Sequence, residues 1–350
     1  MQKIALVGRV ANDQDYFDGQ TIKTRNMERL LSEIYGDGSV QVVDTVDWKN
    51  RAPFIMAALL RAARQCDAIV LMVSGNGRRA LYPIMSLITK TFNIPVFQNL
   101  IGGSLANEVK KHPKWVQYLT SFAINWVESE QLVEELRELS INNAELLPNF
   151  KYFVNRLAVQ KTIVASGWNF CTFSRVRKDK GINVAIEAIE ELNKSAGQGE
   201  GPYNLDIYGQ VDDDYKDEFQ FHLDKSAHVK YLGVVDPEKS VNVIASYDAL
   251  LFPTSCPWEG MPGTIIDALA AGTPVLAARW QFYDEMLEDG VTGYSYPFSK
   301  DESLVELIRE YTSKSDSERF SLRENCIEQW KKYDPKKIAQ MVYGRMREFV

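Results

Sequence analysis

Twice along this 350-residue chain, short apolar runs alternate with segments of helix length, and that alternation limits the fold more than any other feature. The first series is KIALVG, VQVVDTV, AIVLMVS, IPVFQNLI and FAINWVES, separated by stretches such as TRNMERLLSEIY and EQLVEELREL. Strands that return after a helix lie parallel and are covered on both faces, so runs this apolar predict a doubly wound α/β sheet. After LLPNFKYF at 146–153 the series restarts with NFCTFS, YNLDIYG, VKYLG, ALLFPT and PVLAA, spaced by helices such as GINVAIEAIEELNKS. Two Rossmann-like domains are therefore expected, residues 1–150 and 151–335. The amphipathic segment PKKIAQMVYGRMREF makes 336–350 a C-terminal helix that packs back on the first domain. Two such domains turn their strand ends toward each other, so ligands are expected in the cleft between them.

Composition fits this plan and removes several alternatives. With 45% hydrophobic residues the chain can bury two ordinary cores. Apolar runs such as FIMAALL at 54–60 fall well short of the ~20 residues of a membrane-spanning helix. The start, MQKIALVGRV, reads as a strand and not a signal peptide, so a cytoplasmic location is expected. Cys66, Cys171, Cys256 and Cys326 match no zinc or redox spacing, so free thiols and no metal are expected.

The net charge of −7 is uneven: its excess acid lies in residues 151–350, whereas residues 48–127 hold ten Lys and Arg against only Asp67 and Glu108. Such a stretch suits an anionic membrane surface or a diphosphate ligand, or is the solvated face of ordinary helices. A nucleic-acid partner is not expected of an acidic chain without a recognisable binding motif.

The densest cluster of signals is PWEGMPGTIIDALAAGTPVLAA, at 257–278. A strand ending in ALLFPT gives way to a Gly/Pro loop carrying Glu259, and a helix then opens at GTIIDA. The backbone N–H groups of Gly263, Thr264 and Ile265 are predicted to stand unpaired at the positive end of that helix, a ready phosphate site. Asp267, three residues after Thr264, suits a capping box as well as a binding acid. Glu259 has no helix to cap.

A second junction, FSRVRKDKG, sets Arg175, Arg177, Lys178 and Lys180 at a helix start, where the dipole disfavours each cation by ~0.3–1 kcal/mol. A diphosphate would compensate them; the alternative is a basic turn screened by Asp179 and solvent. In the first half, GNGRR at 75–79 either cradles a phosphate with Arg78 and Arg79 behind it or forms a tight turn. Gly102 and Gly103 permit a turn or make room for sugars.

These residues resemble a known family. RVRKDKG is similar to the G-R-L-x-x-x-K-G segment, and EGMPGTIID to the E-x7-E segment, of glycosyltransferase family 4. Those are retaining enzymes of the GT-B fold, in which two Rossmann-like doubly wound domains face each other across a cleft. DIYGQ and YLGVV match the family's phosphate-loop and base-loop strands. FDGQTIKTRNM, with Gly19, occupies the place of its first glycine-containing loop. PGTIIDA, GNGRR and VFQNLIGGSL are similar to bacterial enzymes that assemble capsular, exopolysaccharide or O-antigen repeat units.

The resemblance implies a catalytic set of Arg175, Lys180 and Glu259, the two cations gripping the donor diphosphate and Glu259 lying under the sugar. Gly260, Met261, Pro262, Gly263 and Thr264 would surround sugar and phosphates. Asp267 would accept from the ribose hydroxyls, Gly209 would allow close backbone approach, and Val234 would lie near the base. Acceptor contacts fall to Gly19, Arg78, Arg79, Gln98, Asn99, Gly102 and Gly103. The resemblance implies no cofactor or metal beyond a nucleotide-sugar donor, expected to be a UDP-sugar, and an acceptor that is a glycan or a lipid-diphosphate-linked saccharide at an anionic membrane face.

Two departures from the family are plain. The second acid is Asp267 where Glu is usual. The histidine that many members carry at the end of the fourth N-domain strand is missing from VFQNLIGG, so either Gln98 or Asn99 replaces its hydrogen bonds or the subfamily does not use it. A nucleotide-sugar epimerase, a phosphorylase or a non-catalytic donor-binding subunit would share the architecture. A dinucleotide dehydrogenase is disfavoured, because no G-x-G-x-x-G follows the first strand.

Overall fold

The structure is a computed structural model that describes residues 2–11, 18–153, 167–197 and 201–350. Phe17 of the FDGQ loop and residues 198–200 of the SAGQGEGP loop lie outside the described residues. The chain divides into two units, Met1–Lys151 with Tyr333–Val350, and Tyr152–Lys332.

The first unit is built on β1 (Ile4–Gly8), β2 (Val40–Asp44), β3 (Ala68–Met72), β4 (Val96–Asn99), β5 (Ile124–Val127) and β6 (Ala144–Leu146), all parallel, in the order β2-β1-β3-β4-β5-β6. β1 and β3 are buried at every residue, as the sequences IALVG and AIVLM require of strands with helices on both faces. Chain order reverses direction across the sheet between β1 and β3, and ligands of open α/β sheets gather outside the carboxyl ends of strands at such a point. On one face, Ile55 and Leu59 of the helix Trp48–Gln65 and Leu81, Tyr82 and Met85 of the helix Gly75–Phe92 pack against Val7, Ile69, Leu71 and Val96.

The C-terminal helix runs Pro335–Met346, with Asp334 capping it and proline at its first position. It belongs to the first unit, where Tyr343 meets Tyr35 and Arg345 pairs with Glu145. Beyond the helix, Phe349 sits edge-on to Phe97 of β4.

The second unit repeats the scheme with β7 (Trp168–Phe173), β8 (Tyr203–Tyr208), β9 (Val229–Gly233), β10 (Ala249–Phe252), β11 (Val275–Arg279) and β12 (Gly293–Pro297), again parallel, in the order β12-β11-β10-β7-β8-β9. Its direction reverses between β7 and β10. The two strand orders are those of doubly wound nucleotide-binding sheets, the first flavodoxin-like and the second Rossmann. Each sheet carries a sixth strand beyond the five apolar runs of its half. β6 is only AEL, and β12, GYSYP, mixes polar and aromatic residues at a sheet edge.

Candidate functional site

The loops after β7 and β10, the two strands at the reversal point of the second sheet, carry the densest set of functional side chains. Close backbone approaches fix both loops. Gly209, just past β8, has φ +136°, and a Cβ there would fall 1.7 Å from the carbonyl oxygen of Ser174. Only glycine lets the ends of β7 and β8 close up in this way. The Val176 N–H then donates to the Gln210 carbonyl at 2.9 Å and the Asp212 N–H to the Val176 carbonyl at 3.0 Å. That ladder sets the Asp212 carboxylate against Arg175, whose Nε donates to Oδ1 at 2.9 Å. The Arg175 side chain is 44% exposed.

Lys180 closes the turn Lys178–Lys180, and Gly181 follows with φ +66° and its missing Cβ 1.9 Å from the Pro253 carbonyl oxygen. The turn is thereby pressed onto the end of β10, where the Ser255 N–H donates to the Asp179 carbonyl at 3.0 Å. Across this seam Lys180 Nζ pairs with Glu259 Oε2, the two side chains 18% and 11% exposed. Thr254 Oγ1 donates to the same Glu259 oxygen at 3.0 Å. Of the other cations at this junction, Arg177 is taken by Asp179, and Lys178 stands outside, 3.6 Å from Glu218.

From Glu259 the loop runs through Gly260, whose carbonyl accepts from Trp280 Nε1 at 3.0 Å, and Met261, which is buried, to Pro262. The helix Gly263–Ala271 begins there. Its N-cap is Pro262, which has no side-chain donor or acceptor to offer, and no acid occupies its first turn. The Ile265 N–H folds back to the Pro262 carbonyl at 3.1 Å, so that amide is not open as expected from the sequence. Those of Gly263 and Thr264 donate to no protein acceptor among the described residues. Thr264 Oγ1 is buried without a hydrogen-bond partner. Two open amides and a hydroxyl thus share the positive end of a helix dipole, an arrangement that binds phosphate oxygens.

Thr264 is the second helical residue and not the cap, so it cannot be the N-cap of a capping box with Asp267. Asp267 itself is 1% exposed, at the fifth helical position. Val234, half exposed, directly follows β9, whose last residue Gly233 accepts the Gly209 N–H at 2.9 Å. Gly209 and Val234 therefore stand at adjacent strand ends.

The first unit treats its predicted residues less evenly. Arg78 is not an available cation. Its side chain is 2% exposed and bonds to Glu108 at 2.8 Å, with further bonds to the carbonyls of Ile101 and Val73, so it stitches the loop after β4 to the helix Gly75–Phe92. Arg79 is exposed and forms no ion pair among the described residues. Gly19 opens the helix Gly19–Tyr35, where the Asp18 carboxylate already accepts the Gln20 and Thr21 amides, and a Cβ on Gly19 would touch nothing. That helix end is capped by the protein's own anion.

Gln98 and Asn99 end β4, fully buried. Both amide atoms of Gln98 and the Oδ1 of Asn99 have no hydrogen-bond partner. Gly102 turns the chain at φ +86°, with Gly103 beside it. Four residues went unremarked in the sequence: Asp212 and Thr254, which hold Arg175 and Glu259, and Lys23 and Glu128, which form a buried pair at 2.7 Å in the first unit. Nothing in VDDD singles out Asp212, and a lysine within TIKTRNM reads as solvated. Burial lowers the Lys23 pKa despite Glu128.

Among the described residues no group of three or more His, Cys, Asp or Glu side chains is placed to hold a metal ion. No helix there is long and apolar enough to cross a membrane.

Two doubly wound sheets, the second with paired cations, an acid and an open helix N-terminus at its reversal point, define a GT-B fold. The chain belongs to the glycosyl transferases group 1 family, which matches residues 156–333, half of its length. It is 27% identical over 139 residues to the amylovoran biosynthesis glycosyltransferase AmsK of Erwinia amylovora, covering 39% of this chain and 33% of that protein. It is likewise 27% identical over 174 residues to an uncharacterized 41.2 kDa protein in the cps region of Klebsiella pneumoniae, covering 50% of this chain and 44% of that one. The chain thus spans less than half the length of either curated relative. The structure of Anabaena HepE in complex with UDP superposes with a TM-score of 0.77 at 16% identity, over 99% of this chain and 100% of that one, a likeness of fold.

Proposed function

We propose that this chain is a retaining glycosyltransferase of family 4 that moves a sugar from a nucleoside-diphosphate donor, a UDP-sugar, to a glycan or lipid-diphosphate-linked acceptor in cell-surface polysaccharide synthesis. The observation that carries the reading is the seam between the β7 and β10 loops. Lys180 is held on Glu259 there, and the open amides of Gly263 and Thr264 follow within a few residues. A cation and a helix N-terminus suit a diphosphate, and a partly buried carboxylate suits the hydroxyls and developing positive charge of a sugar.

In this reading Arg175 and Lys180 neutralise charge on the leaving diphosphate as the glycosidic bond to it breaks, with no metal taking part. Glu259 lies under the sugar, and the backbone from Gly260 to Gly263 borders sugar and phosphates. Asp267 accepts from the ribose hydroxyls, and Gly209 and Val234 border the base. Retention requires the acceptor hydroxyl to be held on the face from which the diphosphate departs. The names of the Erwinia and Klebsiella relatives support a place in polysaccharide assembly. The cations of residues 48–127 support work at an anionic membrane surface at the cytoplasmic side.

Two variants test the assignment of the acids. Glu259→Gln should suppress sugar transfer at least tenfold and leave UDP affinity no weaker. Asp267→Asn should weaken UDP by roughly tenfold, the effect of one charge-assisted hydrogen bond. Titration calorimetry with UDP alongside donor turnover reads both. Loss of UDP binding in the Glu259 variant, or none in the Asp267 variant, refutes the roles.

A further inference from the structure

Two buried cations converge on one short loop of the first domain. Lys23 of the helix Gly19–Tyr35 and Arg78 of the helix Gly75–Phe92 both lie in the interior. Lys23 Nζ donates to the Leu100 carbonyl and the Arg78 guanidinium to the Ile101 carbonyl, on consecutive residues of the loop that follows β4. Each cation is also paired with an acid, Lys23 with Glu128 at 2.7 Å and Arg78 with Glu108 at 2.8 Å. Buried ion pairs add little stability over apolar residues of the same volume, so two of them on adjacent carbonyls point to a role in setting the loop.

That role follows from the peptide group. In a trans peptide the C=O and the N–H point in opposite directions. With the Leu100 and Ile101 carbonyls drawn onto the buried cations, the N–H groups of Ile101 and Gly102 are turned away from them. Neither amide donates to a protein acceptor among the described residues. A cation on the carbonyl oxygen polarises the whole peptide group, which makes both N–H groups stronger donors than ordinary amides. Residues 101–104 are half-buried, and a Cβ on Gly102, at φ +86°, would meet nothing within 4 Å. Open space therefore adjoins two polarised donors.

We propose that the Ile101 and Gly102 amides bind the carboxylate of an acidic sugar in the acceptor, with Lys23 and Arg78 as positioning residues behind them. The inference rests on the reading above that the chain transfers to a saccharide, and it names the chemical class of that saccharide. Charge selects a carboxylate over a phosphate. Lys23 and Arg78 are balanced by Glu128 and Glu108, so the site offers aligned dipoles and no net charge. A monoanion with two oxygens matches two N–H donors, whereas a phosphate dianion is better met by an unpaired cation. A hydroxyl of the same sugar would satisfy Asn99, which ends β4 at 1% exposure with its Oδ1 unpartnered.

The full chain, isotopically labelled at glycine nitrogen and titrated with methyl glucuronide, methyl glucoside and glucose 1-phosphate, tests the proposal. The uronide should bind at least about tenfold more tightly than the glucoside, the effect of one charge-assisted hydrogen bond. It should also move the Gly102 amide proton downfield, and the glucoside should leave that resonance in place. Apolar replacement of a buried ion pair is often tolerated, so Lys23→Met combined with Glu128→Leu should fold. That double variant should lose the uronide preference to within about threefold and bind UDP within about twofold of the unaltered protein. The probe series on the unaltered protein decides even if the variant does not fold. Equal affinity for uronide and glucoside, a Gly102 resonance that stays still, glucose 1-phosphate bound more tightly than the uronide, or a folded double variant that keeps the preference overturns the proposal. UDP binding without uronide preference overturns this inference and leaves the proposed donor site standing, whereas uronide preference without UDP binding overturns the donor site alone.

Discussion

Removing the Lys180 ammonium should damage the proposed donor site more than removing the Arg175 guanidinium, and the structure gives the reason. Lys180 is 18% exposed and held on Glu259, which is 11% exposed. In Lys180→Met the diphosphate loses one charge-assisted partner, worth ~1.5–3 kcal/mol or roughly tenfold to a hundredfold in affinity. It also meets a Glu259 carboxylate left with only the Thr254 hydroxyl, at 3.0 Å. Arg175 is 44% exposed, and solvent screens what it contributes, so Arg175→Met should weaken UDP by less, about tenfold.

Calorimetry with UDP, UMP and uridine on each variant separates the phosphates from the base. UDP should suffer most and uridine hardly at all. Adding Glu259→Gln to Lys180→Met should restore part of the lost UDP affinity, since it removes the stranded charge. Turnover with saturating donor should fall further than affinity, because the same cation meets charge that grows as the bond breaks. UDP binding equally well to Lys180→Met, or a double variant weaker than the single one, refutes this account.

Gly181→Ala should destabilise the second unit by about 2 kcal/mol or more in urea unfolding and weaken UDP, since its Cβ would lie 1.9 Å from the Pro253 carbonyl oxygen at φ +66°. Unchanged stability would show that the seam is looser than its geometry implies. Arg78→Met should leave Glu108 without its buried partner and cost about 3–5 kcal/mol in thermal or urea unfolding of the first unit. UDP affinity should stay intact in whatever fraction remains folded. A stable Arg78 variant with altered acceptor use would restore the acceptor role that its burial argues against.

The fold was legible because it rests on pattern. Strands as apolar as IALVG and AIVLM between helix-length amphipathic stretches leave few alternatives to parallel sheets. The edge strands escaped because AEL is too short and GYSYP too mixed to signal a strand. In the site, Glu259 and Lys180 stood out as a loop acid with nothing to cap and a cation at a helix start. Their pairing across 79 positions is a property of the switch point that no local window contains. Arg78 failed for the converse reason: GNGRR follows a strand like a phosphate loop, but the first of its arginines turns inward to a glutamate 30 residues on. Adjacent arginines with opposite fates cannot be told apart by spacing.

The proposed donor site also contains its own counter-charge, which makes the proposed independence of metal a sharp test. Arg175 lies on Asp212 and Lys180 on Glu259, so these four side chains sum to no net charge before a diphosphate arrives. Either the diphosphate displaces a carboxylate or it brings a divalent cation with it. The Arg175–Asp212 pair is the weaker of the two, partly exposed and worth at most about 1 kcal/mol. A charge-assisted bond from Arg175 to phosphate is worth ~1.5–3 kcal/mol, so displacement wins. Asp212→Asn should therefore leave UDP affinity unchanged or tighten it by up to about fivefold, and transfer should persist in EDTA. If Asp212→Asn instead weakens UDP, the carboxylate is holding Arg175 in place for its ligand. If EDTA abolishes transfer and Mg²⁺ restores it, the two cations and the helix start do not neutralise the leaving group, and the metal-free mechanism falls.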